Sequence, residues 1–384
     1  MKILISANNY PTPEYPLQAF IGVLCEELTR QGHDVTVIAP VSVLSFIKHG
    51  IKMPKREFDV EVQTTVGIKT IHVHRPRVLG PGEGRFIKIT SWLTQKVLSR
   101  CAKRLGIDFD IVYCHFWSSA LNLKSYLEKT QIPLFVVSGE DDIHLKYLRN
   151  GSIVAYLNQR TKGVICVSSK NRDESVAKGL TDADKCIVLP NAINEKEFYV
   201  MDKAKARQEL GFSEDDFIVA FCGRFNHRKG IQRVSAAITK CNDEKIKSIF
   251  IGKPVEGAPC FPDCKGIFFQ GTLPHEKIVT YLNAADVYAL PTLAEGCSNS
   301  IVEAMACGLP IISSDLPFNW DVLDDTNSIM LDPMDVDAIA NAIQRLKDNP
   351  DLRAKMSASS VNKMKDLTIE RRVSKIVKFI ESKL

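Results

Sequence analysis

The stretch Asp286-Val-Tyr-Ala-Leu-Pro-Thr-Leu-Ala-Glu-Gly-Cys-Ser-Asn-Ser-Ile-Val-Glu-Ala-Met-Ala-Cys-Gly-Leu-Pro310 decides the fold of this chain. An apolar strand pattern ends at Pro291, a small polar loop follows, and a helix pattern begins near Ser300. The first N–H groups of a helix have no acceptor within the helix, and the helix dipole attracts an anion to them. We therefore predict a phosphate site there, with the carboxylates of Glu295 and Glu303 beside it. Because carboxylates repel phosphate and accept hydrogen bonds from hydroxyls, the ligand should carry both a phosphate and sugar rings.

The segment from Ser300 to Glu303 has a second interpretation. It fits a capping box, in which the Glu303 side chain accepts a hydrogen bond from the Ser300 backbone N–H. This interpretation leaves Glu295 without a role, and both interpretations of Glu303 stay open on the sequence.

A second phosphate signal lies at 217–230, where an apolar strand pattern ends in Gly223 and a basic loop precedes a helix pattern. A glycine lets a ligand approach the backbone, while Arg224 and Lys229 supply a bidentate fork and a point charge for a diphosphate. A solvated basic turn is the alternative for this loop taken alone.

Together the two segments resemble the GT-B glycosyltransferases of family 4. The resemblance runs the whole length of the chain and rests on five motifs: Pro190-Asn-Ala192, Gly-Arg-x4-Lys-Gly at 223–230, Ala285-Asp-Val287, Glu-x7-Glu at 295–303, and Ala304-Met-Ala-Cys-Gly-Leu-Pro310. Members of this family are retaining, metal-independent enzymes that transfer a sugar from a nucleotide-sugar donor. The Glu-Gly-Cys-Ser-Asn version of the loop is most similar to the branch that makes bacterial cell-surface polysaccharides.

The resemblance implies roles for individual residues. Arg224 and Lys229 would hold the donor diphosphate, Glu303 would bind the ribose, and Glu295 would bind the transferred sugar. Further donor contacts are expected from Gly223, Gly296, Ser298, Asn299 and Ser300. His115, after the strand pattern 110–114, would contact the transferred sugar and completes the expected catalytic set with Arg224, Lys229 and Glu295. It is not expected to be a general base, because the leaving phosphate is thought to take the acceptor's proton. The family implies no metal or cofactor, and UDP-sugar is its commonest donor.

Two departures from the family pattern lie on the acceptor side. The usual His-Gly is Ser138-Gly139 here, and the glycine of the first acceptor loop is Ala19. The acceptor therefore stays open as a saccharide or a lipid-linked saccharide.

The chain is long enough for two domains, since 384 residues with 45% apolar content can bury two cores. Strand and helix patterns alternate in both halves, which predicts an α/β fold with two doubly wound parallel sheets. We expect GT-B architecture: two Rossmann-like domains, 1–190 for the acceptor and 195–366 for the nucleotide sugar, facing each other across a cleft. The resemblance implies that a last helix, 367–384, crosses back to the first domain.

Other enzyme classes fit poorly. The first loop, 8–13, lacks the Gly-x-Gly-x-x-Gly of a nicotinamide dehydrogenase, and Ala39-Pro40 stands where such an enzyme has a ribose-binding acid. The Asp-x-Asp pairs of metal-dependent GT-A enzymes are not matched, since Asp108-Phe-Asp110 precedes a strand and Asp335-Val-Asp337 opens a helix. Two alternatives stay open: a nucleotide-sugar 2-epimerase of GT-B architecture, and a non-catalytic sugar-nucleotide binding module.

The eleven cysteines suit reduced thiols in the cytoplasm. Cys260 and Cys264 have no second ligand pair at a spacing typical of zinc sites, so no metal is expected. We find no apolar run of membrane-spanning length and no cleavable signal pattern.

Basic residues are concentrated in the first half, where residues 1–190 carry a net charge of +7 and the segment 46–106 a net charge of +9. This segment interleaves basic and apolar side chains: Lys48, Lys52, Lys55, Arg56, Arg85, Lys88, Arg100, Lys103 and Arg104 with Phe46, Phe86, Ile89, Trp92 and Leu93. Such a stretch can lie on an anionic membrane. A solvated face or a nucleic-acid patch is the alternative. We expect peripheral contact with the inner face of the plasma membrane and no nucleic-acid partner.

Overall fold

The computed structural model describes residues 1–12, 18–48, 52–79, 87–143, 151–255 and 259–384. The chain divides into two compact units. The first contains residues 1–167, 171–189 and 373–384, and the second contains residues 168–170 and 190–372. The chain thus passes from the first unit to the second mainly between Leu189 and Pro190.

The helices of the described part are α1 (Ala19–Arg30), α2 (Val43–Lys48), α3 (Ile87–Arg104), α4 (Trp117–Asn122), α5 (Lys124–Leu127), α6 (Gly151–Arg160), α7 (Ser169–Ala177), α8 (Lys203–Leu210), α9 (Ile231–Cys241), α10 (His275–Ala284), α11 (Asn299–Ala306), α12 (Val336–Asp348), α13 (Pro350–Met364) and α14 (Ile369–Lys383). The strands are β1 (Lys2–Ser6), β2 (Asp34–Ile38), β3 (Val41–Ser42), β4 (Glu57–Thr64), β5 (Gly67–His74), β6 (Arg77–Val78), β7 (Ile111–His115), β8 (Leu134–Ser138), β9 (Thr161–Cys166), β10 (Cys186–Val188), β11 (Phe217–Cys222), β12 (Ile246–Ile251), β13 (Ile267–Gly271), β14 (Val287–Leu290), β15 (Ile311–Ser314) and β16 (Ser328–Leu331).

The first unit is built on a sheet of order β10-β9-β8-β7-β1-β2-β5-β4. Its neighbouring strands are parallel except for β4, which pairs antiparallel with β5 at the edge. Every residue of β7 and β8 is buried, as expected for central strands covered on both faces. The strand order reverses between β1 and β7, so ligands are expected beyond their carboxyl ends.

The second unit contains a sheet of order β13-β12-β11-β14-β15-β16, and all of its strand pairs are parallel. The order reverses between β11 and β14, which makes the carboxyl ends of these two strands the topological switch point. The loops after β11 and β14 are the two segments with phosphate signals. The predicted doubly wound α/β class is therefore confirmed in both units.

Helix capping explains the first acid of the Asp335-Val-Asp337 pair, which the sequence analysis did not assign to a metal site. Asp335 is the N-cap of α12, and its side chain accepts a hydrogen bond from the Ala338 N–H at 2.9 Å. Such a cap satisfies one of the free N–H groups at the helix start.

The basic segment 46–106 differs from the single amphipathic stretch that the sequence suggested. Its middle forms the antiparallel hairpin β4–β5, in which Lys69 is the one Lys or Arg residue. The other basic residues lie before and after the hairpin, several of them on α3. The turn around Gly67, whose φ is +116°, lets the chain reverse there. Pro13 of the first loop, Arg85, Phe86 and the side chains of Lys48 and Lys88 lie outside the described residues. No helix in the described part is both long and apolar enough to cross a bilayer.

Candidate active site

The loop after β11, residues 223–230, is called the clamp loop here. Its backbone is held by two local contacts: Asn226 Oδ1 accepts from the Lys229 N–H at 2.9 Å, and the Phe225 N–H donates to the Lys253 carbonyl at 2.9 Å. The Arg224 side chain is exposed and makes no hydrogen bond or ion pair with the residues that the structure describes. It is thus available to a ligand, whereas Lys229 is turned inward.

The clamp loop is fixed against the loop after β14, residues 291–298, which is called the donor loop here. Gly230 has a φ of +82°, and an added Cβ would lie 2.5 Å from the Pro291 carbonyl oxygen. Only a glycine lets the two backbones approach so closely. The Leu293 N–H also donates to the Arg228 carbonyl at 2.9 Å, so the two loops form one structure.

Arg233, on the first turn of α9, strengthens this junction. Its buried guanidinium donates to the His227 carbonyl at 2.9 Å and to the Pro291 carbonyl at 2.8 Å, one contact in each loop. No sequence pattern pointed to this residue, because its partner in the donor loop is far away along the chain.

Glu295 is the centre of a cluster of side chains, and it contacts Lys229, to which the sequence analysis assigned a separate role. Its Oε1 atom lies 2.5 Å from Lys229 Nζ and 3.5 Å from Arg228 Nη1, and it accepts from Thr292 Oγ1 at 2.9 Å. The carboxylate is 8% exposed. None of these contacts with described residues uses Oε2, which leaves that oxygen to accept a ligand hydroxyl. Thr292 and Arg228 were not predicted, although both neighbour predicted residues.

The start of α11 excludes one of the two interpretations of Glu303. The helix begins at Asn299 with Ser298 as its N-cap, so Ser300 is already its second residue. A capping box centred on Ser300 is therefore wrong: with Ser298 as N-cap, the reciprocal position falls on Ile301. Ser298 provides no side-chain cap, so the first-turn N–H groups remain available to an anion.

Asn191 fixes the shape of the donor loop before this helix. Its Nδ2 donates to the Cys297 carbonyl at 3.0 Å and to Asn299 Oδ1 at 2.7 Å. Gly296 is buried between Glu295 and this anchored turn. The Pro-Asn-Ala motif at 190–192 thus has a local structural function.

Glu303 lies one turn further along α11, with its side chain 15% exposed. Its Oε1 is 3.8 Å from Nε2 of His275, the first residue of α10. Burial, with a smaller effect from Glu303, raises the pKa of the nearby Cys222 thiol to about 12, so this cysteine stays protonated at neutral pH.

In the first unit, His115 is the last residue of β7 and is 7% exposed. Its ring packs on Phe20, at 4.9 Å between centroids, and on Phe116, at 4.6 Å. Phe116 has a φ of +81°, an uncommon value for a residue with a side chain, and such strain is often found at functional sites. Ala19, at the start of α1, is the neighbour of Phe20 in the chain.

Ser138, which departs from the family pattern, and Gly139, which agrees with it, lie close to His115. His115 is paired with Val137 in the sheet, and Ser138 and Gly139 follow directly. An added Cβ on Gly139 would lie 3.3 Å from the Phe116 ring, so a larger residue would press on that aromatic side chain. Within this unit the structure therefore brings together His115, Ser138 and Gly139.

Glu140 was missed as a site residue. Its carboxylate accepts from the Trp117 N–H at the start of α4 and from the Gly139 N–H, both at 3.0 Å. Burial raises the pKa of this carboxyl despite these hydrogen bonds. It holds together the two turns that follow β7 and β8.

Metal-binding residues do not cluster in the described part, where no group of three or more His, Cys, Asp or Glu side chains could hold an ion. All eleven cysteines are free thiols.

The fold defines a class: a two-unit α/β protein in which an uncapped helix start and two carboxylates lie at the switch point of the second sheet. Comparison with known families gives the same class. A family model described as "Glycosyl transferases group 1" matches residues 202–362, and one described as "Glycosyltransferase Family 4" matches residues 18–197. The chain belongs to glycosyltransferase family 4, has GT-B architecture and is a glycosyltransferase.

Curated relatives extend over most of the chain. A Bacillus subtilis protein, TuaC, named as a glycosyltransferase of teichuronic acid biosynthesis, is 28% identical over 90% of this chain and 89% of its own length. A phosphatidyl-myo-inositol mannosyltransferase of Propionibacterium freudenreichii is 25% identical over 79% of this chain and 74% of its own. Among solved structures, sucrose-phosphate synthase of Thermosynechococcus elongatus has a TM-score of 0.78 at 17% identity and covers 100% of this chain and 99% of its own.

Proposed function

We propose that this glycosyltransferase moves a sugar from a nucleoside-diphosphate sugar, with UDP-sugar as the first candidate, to a saccharide or lipid-linked saccharide. The reaction would retain the anomeric configuration, require no metal ion, and serve polysaccharide or glycolipid biosynthesis. The observation that carries this proposal is the contact of Lys229 with Glu295. It joins a diphosphate-binding cation to a sugar-binding carboxylate beside the first-turn amides of α11.

In this mechanism the protein supplies the positive charge that a metal ion would otherwise provide. Arg224 and Lys229 stabilise the negative charge that grows on the diphosphate as the glycosidic bond breaks. The leaving phosphate takes the acceptor's proton, so no side chain needs to be a general base. Glu295 Oε2 accepts a hydroxyl of the transferred sugar, Glu303 binds the ribose, and His115 contacts the transferred sugar.

The acceptor class is supported by the relatives. TuaC is named for teichuronic acid, a polysaccharide, and the mannosyltransferase is named for a phosphatidylinositol. Both names describe the transfer of a sugar. The two departures, Ala19 and Ser138, lie where an acceptor would be recognised, and they favour an acceptor that differs from those of other family members.

A thermal-shift panel of UDP-, GDP- and ADP-sugars tests the donor assignment. A ligand at a hundred times its dissociation constant stabilises the folded state by about 2.7 kcal/mol. We expect one nucleotide family to raise the melting temperature of the parent and not of Lys229→Ala. Lys240→Ala is the matched control, because Lys240 pairs with Asp337 on the surface and such pairs contribute little. A shift that survives in Lys229→Ala would contradict the diphosphate role.

Turnover experiments separate transfer from the alternatives. A transferase releases nucleotide from the donor faster when an acceptor is present, whereas a 2-epimerase needs no acceptor and a binding module releases none. Excess EDTA should leave the rate unchanged, and NMR of the product should show the donor's anomeric configuration. An inverted product, or full loss of activity in EDTA, would reject those parts of the proposal.

We also propose that the enzyme works at the inner face of the plasma membrane through one surface of the first unit. Four apolar side chains that are each more than half exposed form its centre: Leu44, Ile47, Ile89 and Trp92. Strand β3, which leads into α2, pairs with β6, and α3 packs against β6, so α2 and α3 both adjoin the β3–β6 pair. This set is called the apolar patch here.

A row of basic side chains extends the apolar patch along α3. Ile89, Trp92, Lys96, Arg100 and Lys103 follow helical spacing and share one face. Lys96 Nζ lies 3.6 Å from the centre of the Trp92 ring. Apolar side chains beside cations suit an anionic bilayer, to which each basic residue adds about 1 kcal/mol.

Flotation with vesicles tests this surface. The parent should float with phosphatidylglycerol-containing vesicles at low salt and less with pure phosphatidylcholine. The double variant Ile89→Ser/Trp92→Ser should lose most of this binding, while Val66→Ser, an exposed apolar residue of the hairpin, should keep it. Equal flotation of all three proteins would contradict the assignment.

A further inference from the structure

His275 is a residue with no role in the sequence-based account. It is the first residue of α10, just beyond the carboxyl end of β13, and its ring lies between two carboxylates. Nε2 is 3.8 Å from Glu303 Oε1, and Nδ1 is 3.5 Å from Glu197 Oε2. All three residues belong to the second unit.

The ring is held in this orientation by further contacts. Phe198, itself 3% exposed, packs on it with 5.1 Å between centroids and an interplanar angle of 80°. Glu197 is fixed in turn, because Asn194 Nδ2 donates to its Oε1 at 2.7 Å. A surface histidine without a role would have no need of two oriented acids and an aromatic support.

We propose that His275 is a positioning residue of the donor site, which orients the Glu303 carboxylate toward the ribose hydroxyls of the nucleotide sugar. The contact uses Glu303 Oε1. In the proposed arrangement the other oxygen, Oε2, accepts a ribose hydroxyl. A fixed carboxylate binds a diol with less loss of side-chain freedom than a mobile one.

The acidic surroundings also give the ring a charge. The Glu303 carboxylate raises the pKa of His275 above its ordinary value, Glu197 and Glu276 add to this effect, and partial burial opposes it. The imidazolium form therefore persists to higher pH than in an ordinary histidine. Its positive charge lies beside the site of an anionic ligand, so donor binding should weaken as pH rises through this raised pKa.

The role of His275 rests on the proposed function, in which Glu303 binds the ribose, and the experiment therefore includes Glu303. The probes are UDP, GDP and ADP with their 2′-deoxy forms, and calorimetry gives the ratio of dissociation constants, deoxy over ribo, for the tightest pair. In the parent this ratio should be well above one. In Glu303→Gln it should fall toward one.

We expect His275→Ala to lower the ratio by about two- to tenfold, the range that corresponds to ordering one side chain. His275→Gln keeps a polar N–H group near Glu303 and should recover most of the ratio, but without its pH dependence. Lys277→Ala is the control, because this exposed lysine lies on the same turn. Glu197→Gln should have a smaller effect than His275→Ala.

The outcomes are distinct. A parent-like ratio in His275→Ala, with a lowered ratio in Glu303→Gln, overturns the role of His275 and leaves the proposed function intact. A parent-like ratio in Glu303→Gln overturns both the ribose assignment and the role of His275. A pH profile in His275→Gln that matches the parent would show that another group titrates.

Discussion

Replacing Glu295 by glutamine should separate the binding of free nucleotide from turnover. The carboxylate holds Lys229 at 2.5 Å and is almost completely buried. A diphosphate that reaches for Lys229 must therefore share it with Glu295 and lie near that negative charge. The amide of Glu295→Gln has nearly the same shape and no charge, so it removes the competition and the repulsion together.

The size of the effect follows from these contacts. A hydrogen bond to a charged group contributes about 1.5–3 kcal/mol net, which is the upper limit of what the diphosphate can gain. A released lysine regains side-chain freedom, which must be lost again on binding and costs up to about 2 kcal/mol. We expect a net gain near 1 kcal/mol, or a dissociation constant for UDP about fivefold lower. Turnover should fall by about 10- to 100-fold, because a neutral amide binds the sugar hydroxyl less strongly than a carboxylate.

Titration calorimetry with UDP and nucleotide release from UDP-sugar measure the two effects, and another nucleotide replaces UDP if the melting panel selects it. Glu244→Gln is the control, since it neutralises an exposed acid of the same unit. If UDP binds Glu295→Gln more weakly than it binds the parent, Glu295 aligns Lys229 for the phosphate rather than competing with it. That result would refute the reasoning.

Two further predictions concern the junction of the clamp and donor loops. Gly230→Ala and Gly211→Ala both place a side chain at positive φ, which costs about 1–2 kcal/mol. At Gly230 the new Cβ also meets the Pro291 carbonyl, whereas at Gly211 no atom lies within 4 Å of the new Cβ. Urea unfolding should therefore show Gly230→Ala to be less stable than Gly211→Ala by at least about 1 kcal/mol, and equal stabilities would contradict the close approach. Arg233→Met removes the donors to two carbonyls and should cost about 1–3 kcal/mol, seen as a fall of roughly 3–10 °C in melting temperature. Its turnover should fall as well, because the clamp loop loses its tie to β14, and a parent-like melting curve would show that this tie contributes nothing.

The parts of the fold that the sequence predicts best are those set by short-range patterns. The strand 217–222 is confirmed at both ends, because an apolar run there stops at a glycine. The helix pattern predicted after the basic loop is confirmed as α9, which begins directly after Gly230. His115 was placed after its strand and is instead the last residue of it, a difference of one position.

The errors come from contacts between distant residues. The helix after the donor loop starts at Asn299 rather than at Ser300, because Asn191 holds the preceding turn from far away along the chain. The edge strand β4 runs antiparallel to β5. Its charged sequence does not distinguish this direction from a parallel one. His275 and Arg233 were missed since neither belongs to a motif, and each has its function only through a side chain or carbonyl on another element.

The last helix has a consequence for the order in which the molecule can fold. α14 begins in the second unit and, from Val373 onward, belongs to the first. There its buried residues Val373, Ile376 and Ile380 complete the core, and the Phe379 ring packs over Gly163 against Phe135. On a ribosome, the first unit is synthesised first but lacks this covering until synthesis reaches the final turn. The second unit contains none of those residues. The unit that is synthesised later can therefore complete its core before the unit that is synthesised first.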